Sequence, residues 1–243
     1  MKIIACMLAE NEEDWISLSL GSIINIVDKV VLVDSGSSDN TIKKAHAICH
    51  LKNKEFKLIK HERKNLPSDD GAQRQAYLDY LKKEHMGDWV IVIDADEVWS
   101  GEIDRLRGLL KQTKLDCFDL KTIHLIGDIG HCDNTRPEHW TLKRIFKVKP
   151  NIFYPQTEHG CIQGHNYIGR IVEITMFHFA HARHAFYWLK KRNNMKAKSE
   201  IHNNTARKWW YYNHLFGDYP RKKLDPNDLP KIIKDKFMVE GER

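Results

Sequence analysis

The stretch WVIVIDADEVW, residues 89–99, decides the fold because it runs from an apolar segment directly into a cluster of carboxylates. Five apolar residues, Trp89 to Ile93, are typical of a strand that is covered on both faces of a sheet. In a strand alternate side chains share a face. Asp94 and Asp96 are therefore predicted to point the same way and Ala95 the other.

Apolar segments typical of buried strands also occur before this stretch, where they alternate with predicted helices. Strands are predicted at KIIACML (2–8), KVVLVD (29–34) and FKLIKH (56–61), and apolar residues recur at helical spacing in EEDWISLSLGSIINI (12–26), TIKKAHAICHLK (41–52) and GAQRQAYLDYLKKEH (71–85). Alternating strands and helices predict a parallel, doubly wound sheet, whose ligands bind outside the carboxyl ends of the strands. Asp34 and Asp94 fall at that edge.

The rest of the chain is predicted to complete one domain. A helix is expected at 103–113, strands at 117–127, 142–148 and 171–179, a polar lid-like loop at 127–140 and a basic amphipathic helix at 185–201. We expect residues 1–180 to form the domain, in two halves at 1–100 and 101–180. Residues 181–243 would form a basic, aromatic helical extension packed on the same domain.

Composition limits the class of protein. A chain of 243 residues, 42% hydrophobic and 30% charged, suits one α/β domain, and no apolar run approaches the roughly 20 residues that span a bilayer. The apolar N-terminus reads as a strand rather than a signal peptide, which favours a cytoplasmic protein. Five scattered cysteines argue against a disulfide framework and a cysteine zinc site.

Charge is unevenly distributed along the chain. Residues 1–140 carry 19 Lys and Arg against 24 Asp and Glu, whereas residues 141–243 carry 20 against 9. A basic C-terminal half attracts phosphates, although a basic surface most often serves only solubility.

The paired carboxylates need a countercharge. Asp94 and Asp96 repel each other at a strand end unless a cation lies between them. Oxygen ligands suit Mn²⁺ or Mg²⁺, which keep other positions open for water and substrate phosphates. The alternative interpretation is an ordinary acidic loop after a strand.

Four segments in order carry a family resemblance: MLAENEEDWISLSLGSI (7–23), VVLVDSGSSDNT (30–41), GAQRQA (71–76) and GDWVIVIDADE (87–97). Together they resemble the family 2 glycosyltransferases of GT-A fold. LKRIFKV (142–148) and FHFAHAR (177–183) resemble small bacterial members with a DxD motif, of the lipopolysaccharide-core type. The implied fold is a Rossmann-like, mostly parallel α/β sheet flanked by helices, with a C-terminal helical extension.

The resemblance also implies site residues. Asp34 would accept a hydrogen bond from uracil, Asp94 would hold the ribose or a metal-bound water, and Asp96 would bind the metal. His178 would be the third protein ligand of the Mn²⁺ or Mg²⁺ ion, with Asp94 also near it and His181 as the alternative to His178. The nucleotide pocket would be completed by Leu8, Ala9, Glu10, Asn11, Ser35, Arg74 and Ala95.

The catalytic base stays open at this point. Where the similar enzymes carry a Glu after a His, this chain reads TEHGC (157–161), with Gly160 at the Glu position. Glu158 and His159 are therefore candidates, as are Asp133 and Glu138 in the predicted lid.

The function implied is a metal-dependent, inverting transfer of a sugar from a nucleotide-diphosphate sugar, UDP-sugar above all, to a hydroxyl of a glycan, lipid-linked or protein acceptor. The alternatives are an inactive sugar-nucleotide-binding protein and a sugar-1-phosphate nucleotidyltransferase, although LAENEED (8–14) is no Gly-rich phosphate loop. A nucleic-acid partner is not expected, because carboxylates would face a polyanion. KWWYYNHLF (208–216) allows a peripheral membrane contact or simple core packing.

Overall fold

The computed structural model of the protein describes residues 1–62, 69–134, 143–155, 160–182 and 220–237. The chain divides into two compact units. The first comprises Met1–Lys121 and Thr141–Met176, and the second comprises Thr122–Trp140 and Phe177–Arg243. The predicted boundaries near residues 100 and 180 stay a prediction.

Strands and helices alternate through the first half of the chain. The order is β1 (Ile3–Ala9), α1 (Ile16–Ile23), β2 (Lys29–Asp34), α2 (Thr41–Leu51), β3 (Glu55–Lys60), α3 (Asp69–Glu84), β4 (Trp89–Val92), β5 (Glu97–Gly101), a 3-10 turn (Ile103–Arg105) and α4 (Leu106–Gln112). Mostly strands follow: β6 (Cys117–Ile126), β7 (Asp128–Asp133), β8 (Lys143–Lys147), β9 (Ile168–His181), β10 (Arg221–Lys223), a second 3-10 turn (Pro226–Asp228) and α5 (Lys231–Phe237).

A parallel sheet forms the centre of the first unit. Its strands lie in the order β4, β1, β2, β3, and all neighbours in this set are parallel. β8 pairs with β4 and β6 pairs with β8, both antiparallel. Ala9 pairs with Asp34, so the carboxyl ends of β1 and β2 lie side by side. The predicted α/β fold with a mostly parallel sheet is confirmed.

Apolar residues cover both faces of this sheet, which explains the unbroken apolar runs in the sequence. One buried cluster joins alternate residues of the strands to α1, α2 and α4, and it contains Met7, Leu20 and Leu110. The other cluster joins the remaining residues to α3, and it contains Cys6 and Tyr77. Burial of each large apolar side chain stabilises the fold by about 1.5–3 kcal/mol.

Two strands within residues 1–180 differ from the sequence prediction, and a third, β10, lies in the extension that was predicted to be helical. Residues 128–133, predicted to belong to a lid, form β7, which pairs with β6 and β10. The sequence did not predict β5 either, which begins at Glu97 directly after the carboxylate cluster. Both strands are short, and their residues show no clear alternation that would separate them from a polar loop.

Other predictions concern the remaining parts of the chain. The five cysteines form no disulfide bond with one another within the described residues. None of the helices within the described ranges is long and apolar enough to span a bilayer. The predicted basic helix at 185–201 and the aromatic stretch 208–216 lie outside the described residues.

Candidate active site

Asp34 ends β2 at the carboxyl edge of the parallel sheet, where its carboxylate is held by the main chain that follows. Asp34 Oδ2 accepts hydrogen bonds from the backbone N–H groups of Gly36 (3.0 Å) and Ser37 (3.1 Å). Gly36 has a φ of +104°, a conformation that suits glycine and few other residues. The side chain of Asp34 is only 3% exposed. The turn formed by SGSS (35–38) thus caps a buried carboxylate.

The loop after β1 is tied to the same turn. Ser35 N–H donates to the Ala9 carbonyl (3.1 Å), and Asn11 N–H donates to Ser37 Oγ (3.0 Å). Asn11 Oδ1 accepts from the N–H of Ser38 (2.9 Å), and Asn11 has a left-handed backbone with φ of 54°. The structure therefore brings together the predicted nucleotide-binding residues of both loops: Leu8, Ala9, Glu10, Asn11, Asp34 and Ser35.

Asp94 and Asp96 lie in a turn rather than in a strand. β4 ends at Val92, and Ile93 N–H still donates to the Cys6 carbonyl (3.1 Å). The N–H of Glu97 then donates to the Asp94 carbonyl (3.0 Å), which closes a turn around Ala95 and Asp96. The expectation that both aspartates lie in the strand was wrong, whereas the predicted shared direction of Asp94 and Asp96 stays a prediction. Asp96 is partly exposed and Ala95 is buried.

The countercharge of Asp94 comes from two arginines of the chain itself. Arg74 Nη2, from α3, donates to both carboxylate oxygens of Asp94 at 3.0 Å. Arg144 Nη2, from β8, donates to Asp94 Oδ2 at 3.2 Å. The sequence argument expected a divalent ion to balance this carboxylate. In the structure Arg74, which the sequence analysis placed near the nucleotide, provides part of that balance.

Glu97 and Arg144 complete the network, and the sequence analysis gave neither a role. Arg144 is ion-paired with Glu97, and the two side chains are 7% and 1% exposed. Glu97 Oε2 also accepts the N–H of Asp94 at 2.9 Å. Burial raises the pKa of Glu97 to about 8, against the opposing effect of the Arg144 guanidinium. Arg144 is one of three basic residues in the strand LKRIFKV, so the sequence did not distinguish it from Lys143 and Lys147.

The two arginines are themselves buried, and their environment keeps them charged. Burial, the largest single effect, works to lower the pKa of Arg74, but Asp94 together with the hydroxyls of Tyr77 and Tyr154 raises it well above its usual value. Burial likewise opposes the charge of Arg144, whose pKa is raised by Glu97 and Asp94. Arginine suits such a site because its planar group binds carboxylates through several donors.

A pair of buried tyrosines supports Arg74 from the other side. The hydroxyls of Tyr77 and Tyr154 share a hydrogen bond of 2.6 Å, and burial raises the pKa of both phenols. Gln75 Oε1 accepts the N–H of Tyr154 at 2.9 Å. Helix α3 thus holds the segment that leads to residues 156–159.

His178 of β9 pairs with another histidine of the second unit. Its Nδ1 lies 3.0 Å from Nδ1 of His124 in β6, so one ring donates and the other accepts. No group of three or more His, Cys, Asp or Glu side chains suited to a metal ion occurs in the described part of the chain. A metal ion shared by Asp94, Asp96 and His178 stays a prediction.

The four candidate bases also stay predictions. Glu138, Glu158 and His159 lie outside the described residues, as does the side chain of His181. Asp133 is the last residue of β7, where its backbone pairs with Arg221 of β10.

The fold and its carboxyl edge define a class of protein. A helix-flanked, mostly parallel sheet is the fold that this chain shares with solved GT-A glycosyltransferases. The family model of Glycosyl transferase family 2 matches residues 4–177, and the chain belongs to this family. It is a glycosyltransferase, as the sequence resemblance predicted. Among curated proteins, none matches the chain.

Solved structures share the fold at low sequence identity. S. aureus TarS matches with a TM-score of 0.53 and 16% identity, over 88% of this chain and 43% of that chain. This chain thus spans less than half of that protein. TarS 1–349 in complex with UDP-GlcNAc matches with a TM-score of 0.51 and 15% identity, over 88% of this chain and 70% of that chain.

A further match covers about half of the chain. It is glucosyl-3-phosphoglycerate synthase from Mycobacterium tuberculosis in complex with Mn²⁺, UDP-glucose and phosphoglyceric acid, with a TM-score of 0.34 and 23% identity over 51% of this chain and 44% of that chain. A likeness at this TM-score supports no argument about the present site.

Proposed function

We propose that this glycosyltransferase moves a sugar from a UDP-sugar to a hydroxyl of a glycan, lipid-linked or protein acceptor, with inversion at the anomeric carbon and with a divalent metal ion. The observation that carries the proposal is the placement of Asp34, Asp94 and Asp96 after β2 and β4, the two strands that flank β1. Ligands of open α/β sheets bind at this edge.

The nucleotide would lie across the ends of these strands. Asp34 would accept a hydrogen bond from the imide N–H of uracil. Its carboxylate has lone pairs that the two backbone N–H groups do not use. Asp94, oriented by Arg74 and Arg144, would accept from ribose hydroxyls. The TarS fragment that shares this fold was crystallised with UDP-GlcNAc, which favours a UDP-sugar donor.

Asp96 is the residue best placed to bind the metal. It is partly exposed in the turn that follows Asp94, and Mg²⁺ and Mn²⁺ sites commonly use one or two carboxylates together with substrate phosphates. A bound ion would supply positive charge that stabilises the departing diphosphate. Since Asp94 already has two arginine partners, we assign direct coordination to Asp96 rather than to Asp94.

The chemical step would be a single displacement. The acceptor hydroxyl forms a bond to the anomeric carbon while the bond from that carbon to the diphosphate oxygen breaks. A carboxylate or imidazole takes the hydroxyl proton. Glu158, His159, Glu138 and Asp133 are the candidates for this role.

The proposal is tested with purified full-length protein and a panel of nucleotide sugars, with released nucleotide as the readout. We expect UDP release that requires Mn²⁺ or Mg²⁺. Asp96→Asn should lower the rate by at least about 100-fold with the fold intact, because the ion loses its ligand. Asp28→Asn is the matched control, since Asp28 is an arginine-paired carboxylate just before β2, at the opposite edge of the sheet.

Other outcomes would point elsewhere. Nucleotide-sugar binding without turnover, with every acceptor class supplied, would indicate an inactive binding protein. Formation of a nucleotide sugar and pyrophosphate from a sugar-1-phosphate and a nucleoside triphosphate would indicate a nucleotidyltransferase. Full activity of Asp96→Asn in the presence of a chelator would contradict the metal assignment.

A further inference from the structure

One buried side-chain donor of helix α3 has no hydrogen-bond acceptor among the described residues. Gln73 of α3 is 2% exposed, and none of the described residues accepts a hydrogen bond from its Nε2. Buried side-chain donors are normally satisfied, and an unsatisfied one destabilises the folded state. A ligand that brings a hydrogen-bond acceptor to this amide would satisfy it, so the position of Gln73 relative to the proposed nucleotide decides whether it has that role.

The position of Gln73 follows from the path of α3. This helix connects β3 to β4, which run parallel to each other, so it begins at the carboxyl edge of the sheet and runs back. Gln73 lies one helical turn before Tyr77, on the same face of the helix. Tyr77 packs in the buried cluster that includes Cys6 of β1. Gln73 is therefore displaced toward the carboxyl end of β1, where Leu8 follows Cys6 on the same face.

Contacts of helix α3 place the Gln73 amide near two aspartates, Asp34 at the end of β2 and Asp94 after β4. The next residue, Arg74, reaches Asp94 at the end of β4. Helix α3 also packs against β1 and β2, the strand that ends at Asp34. We assigned the diphosphate to the end of β4, next to Asp96. The base of the nucleotide would then lie at the ends of β1 and β2. The Gln73 end of α3 is directed toward these strands.

The chemistry of the base matches this arrangement. The edge of uracil offers carbonyl acceptors beside its imide N–H, whereas cytosine has an amino donor in place of one carbonyl. A carboxylate acceptor and an amide donor complement uracil. We infer that Gln73 is a specificity residue for the base of the donor, with Nε2–H donating to a uracil carbonyl while Asp34 accepts the imide N–H. This inference deepens the proposed function and rests on it.

The first test replaces the amide by an apolar group of similar size. Gln73→Met should weaken uridine, UMP and UDP by a similar factor of about tenfold in calorimetric titrations, because all three share the base. The thermal midpoint of the ligand-free variant should be no lower than that of the wild type, since an unsatisfied donor is removed. Trp99→Phe is the control, because Trp99 Nε1 is also buried without an acceptor but belongs to the core cluster on the other face. It should leave nucleotide affinity unchanged.

The second test uses Gln73→Glu, which replaces the donor by an acceptor. The ratio of UMP affinity to CMP affinity should fall in this variant, because a carboxyl group matches the amino group of cytosine. Unchanged uridine affinity in Gln73→Met, or a loss confined to UDP, would overturn the inference. So would a lower thermal midpoint with unchanged affinity, which is the result of a structural amide. If the wild type binds no uridine nucleotide, the proposed UDP donor fails as well.

Discussion

Asp34 and Asp94 follow strands of the same parallel sheet, yet their negative charges are compensated in different ways. Asp34 is held by N–H groups two and three residues further along the chain. Asp94 is held by Arg74 and Arg144, which are 20 and 50 residues away in sequence. The surroundings of Asp34 are set by a local turn, whereas those of Asp94 depend on the packing of α3 and β8.

This difference affects how Asp34 and Asp94 can each function. A carboxylate capped by backbone N–H groups keeps its position as long as the turn is formed. A carboxylate between two guanidinium groups depends on the whole sheet, but its orientation is fixed by charge-assisted hydrogen bonds. We expect substitutions around Asp34 and around Asp94 to lower the free energy of unfolding by different amounts.

The largest effect is expected for Arg144→Met. This change leaves Glu97 buried without its ion-pair partner, and breaking a buried pair on one side typically costs 3–5 kcal/mol. The free energy of unfolding, measured by urea denaturation at a pH above the Glu97 pKa of about 8, where Glu97 is ionised, should fall by about that amount. Arg107→Met is the control, because the pair Arg107–Asp28 is about one-third exposed and should contribute no more than about 1 kcal/mol. Equal losses in the two variants would contradict the distinction.

A direct comparison of Asp34 and Asp94 should give an intermediate effect. Asp94→Asn removes the charge that faces two buried guanidinium groups, and we expect a loss of about 2–3 kcal/mol in unfolding free energy. Asp34→Asn retains an oxygen acceptor for a backbone N–H and should cost about 1 kcal/mol. Denaturation of both variants under one set of conditions checks this order, and the reverse order would break the comparison.

The smallest effect is expected within the turn that caps Asp34. Gly36→Ala places a Cβ on a residue with φ of +104°, which should destabilise the protein by about 1 kcal/mol, although no atom lies within 4 Å of the added carbon. UDP affinity should fall in parallel, since the same turn holds Asp34. Gly108→Ala, an open position inside α4, is the control and should not be destabilising. Unchanged stability of Gly36→Ala would mean that the turn relaxes freely.

The sequence by itself determined the alternating strands and helices, the parallel sheet and the two acidic strand ends, because each depends on periodicity over a few residues. The cap of Asp34 is equally local, since its backbone donors lie two and three residues further along the chain, but the sequence analysis assigned Asp34 to the nucleotide instead. The short strands β5 and β7 were missed because their patterns resemble those of polar loops.

Only the tertiary structure decided what surrounds Asp94. The sequence argument assumed that a metal ion must balance the carboxylates, whereas packing of α3 and β8 brings Arg74 and Arg144 to Asp94 and buries Glu97 beside them. Burial of Gln73 without a partner was equally invisible in the sequence. Charges and donors that meet across 20 to 50 residues leave no local periodicity, and their energy depends on a burial that exists only once the sheet and helices have packed.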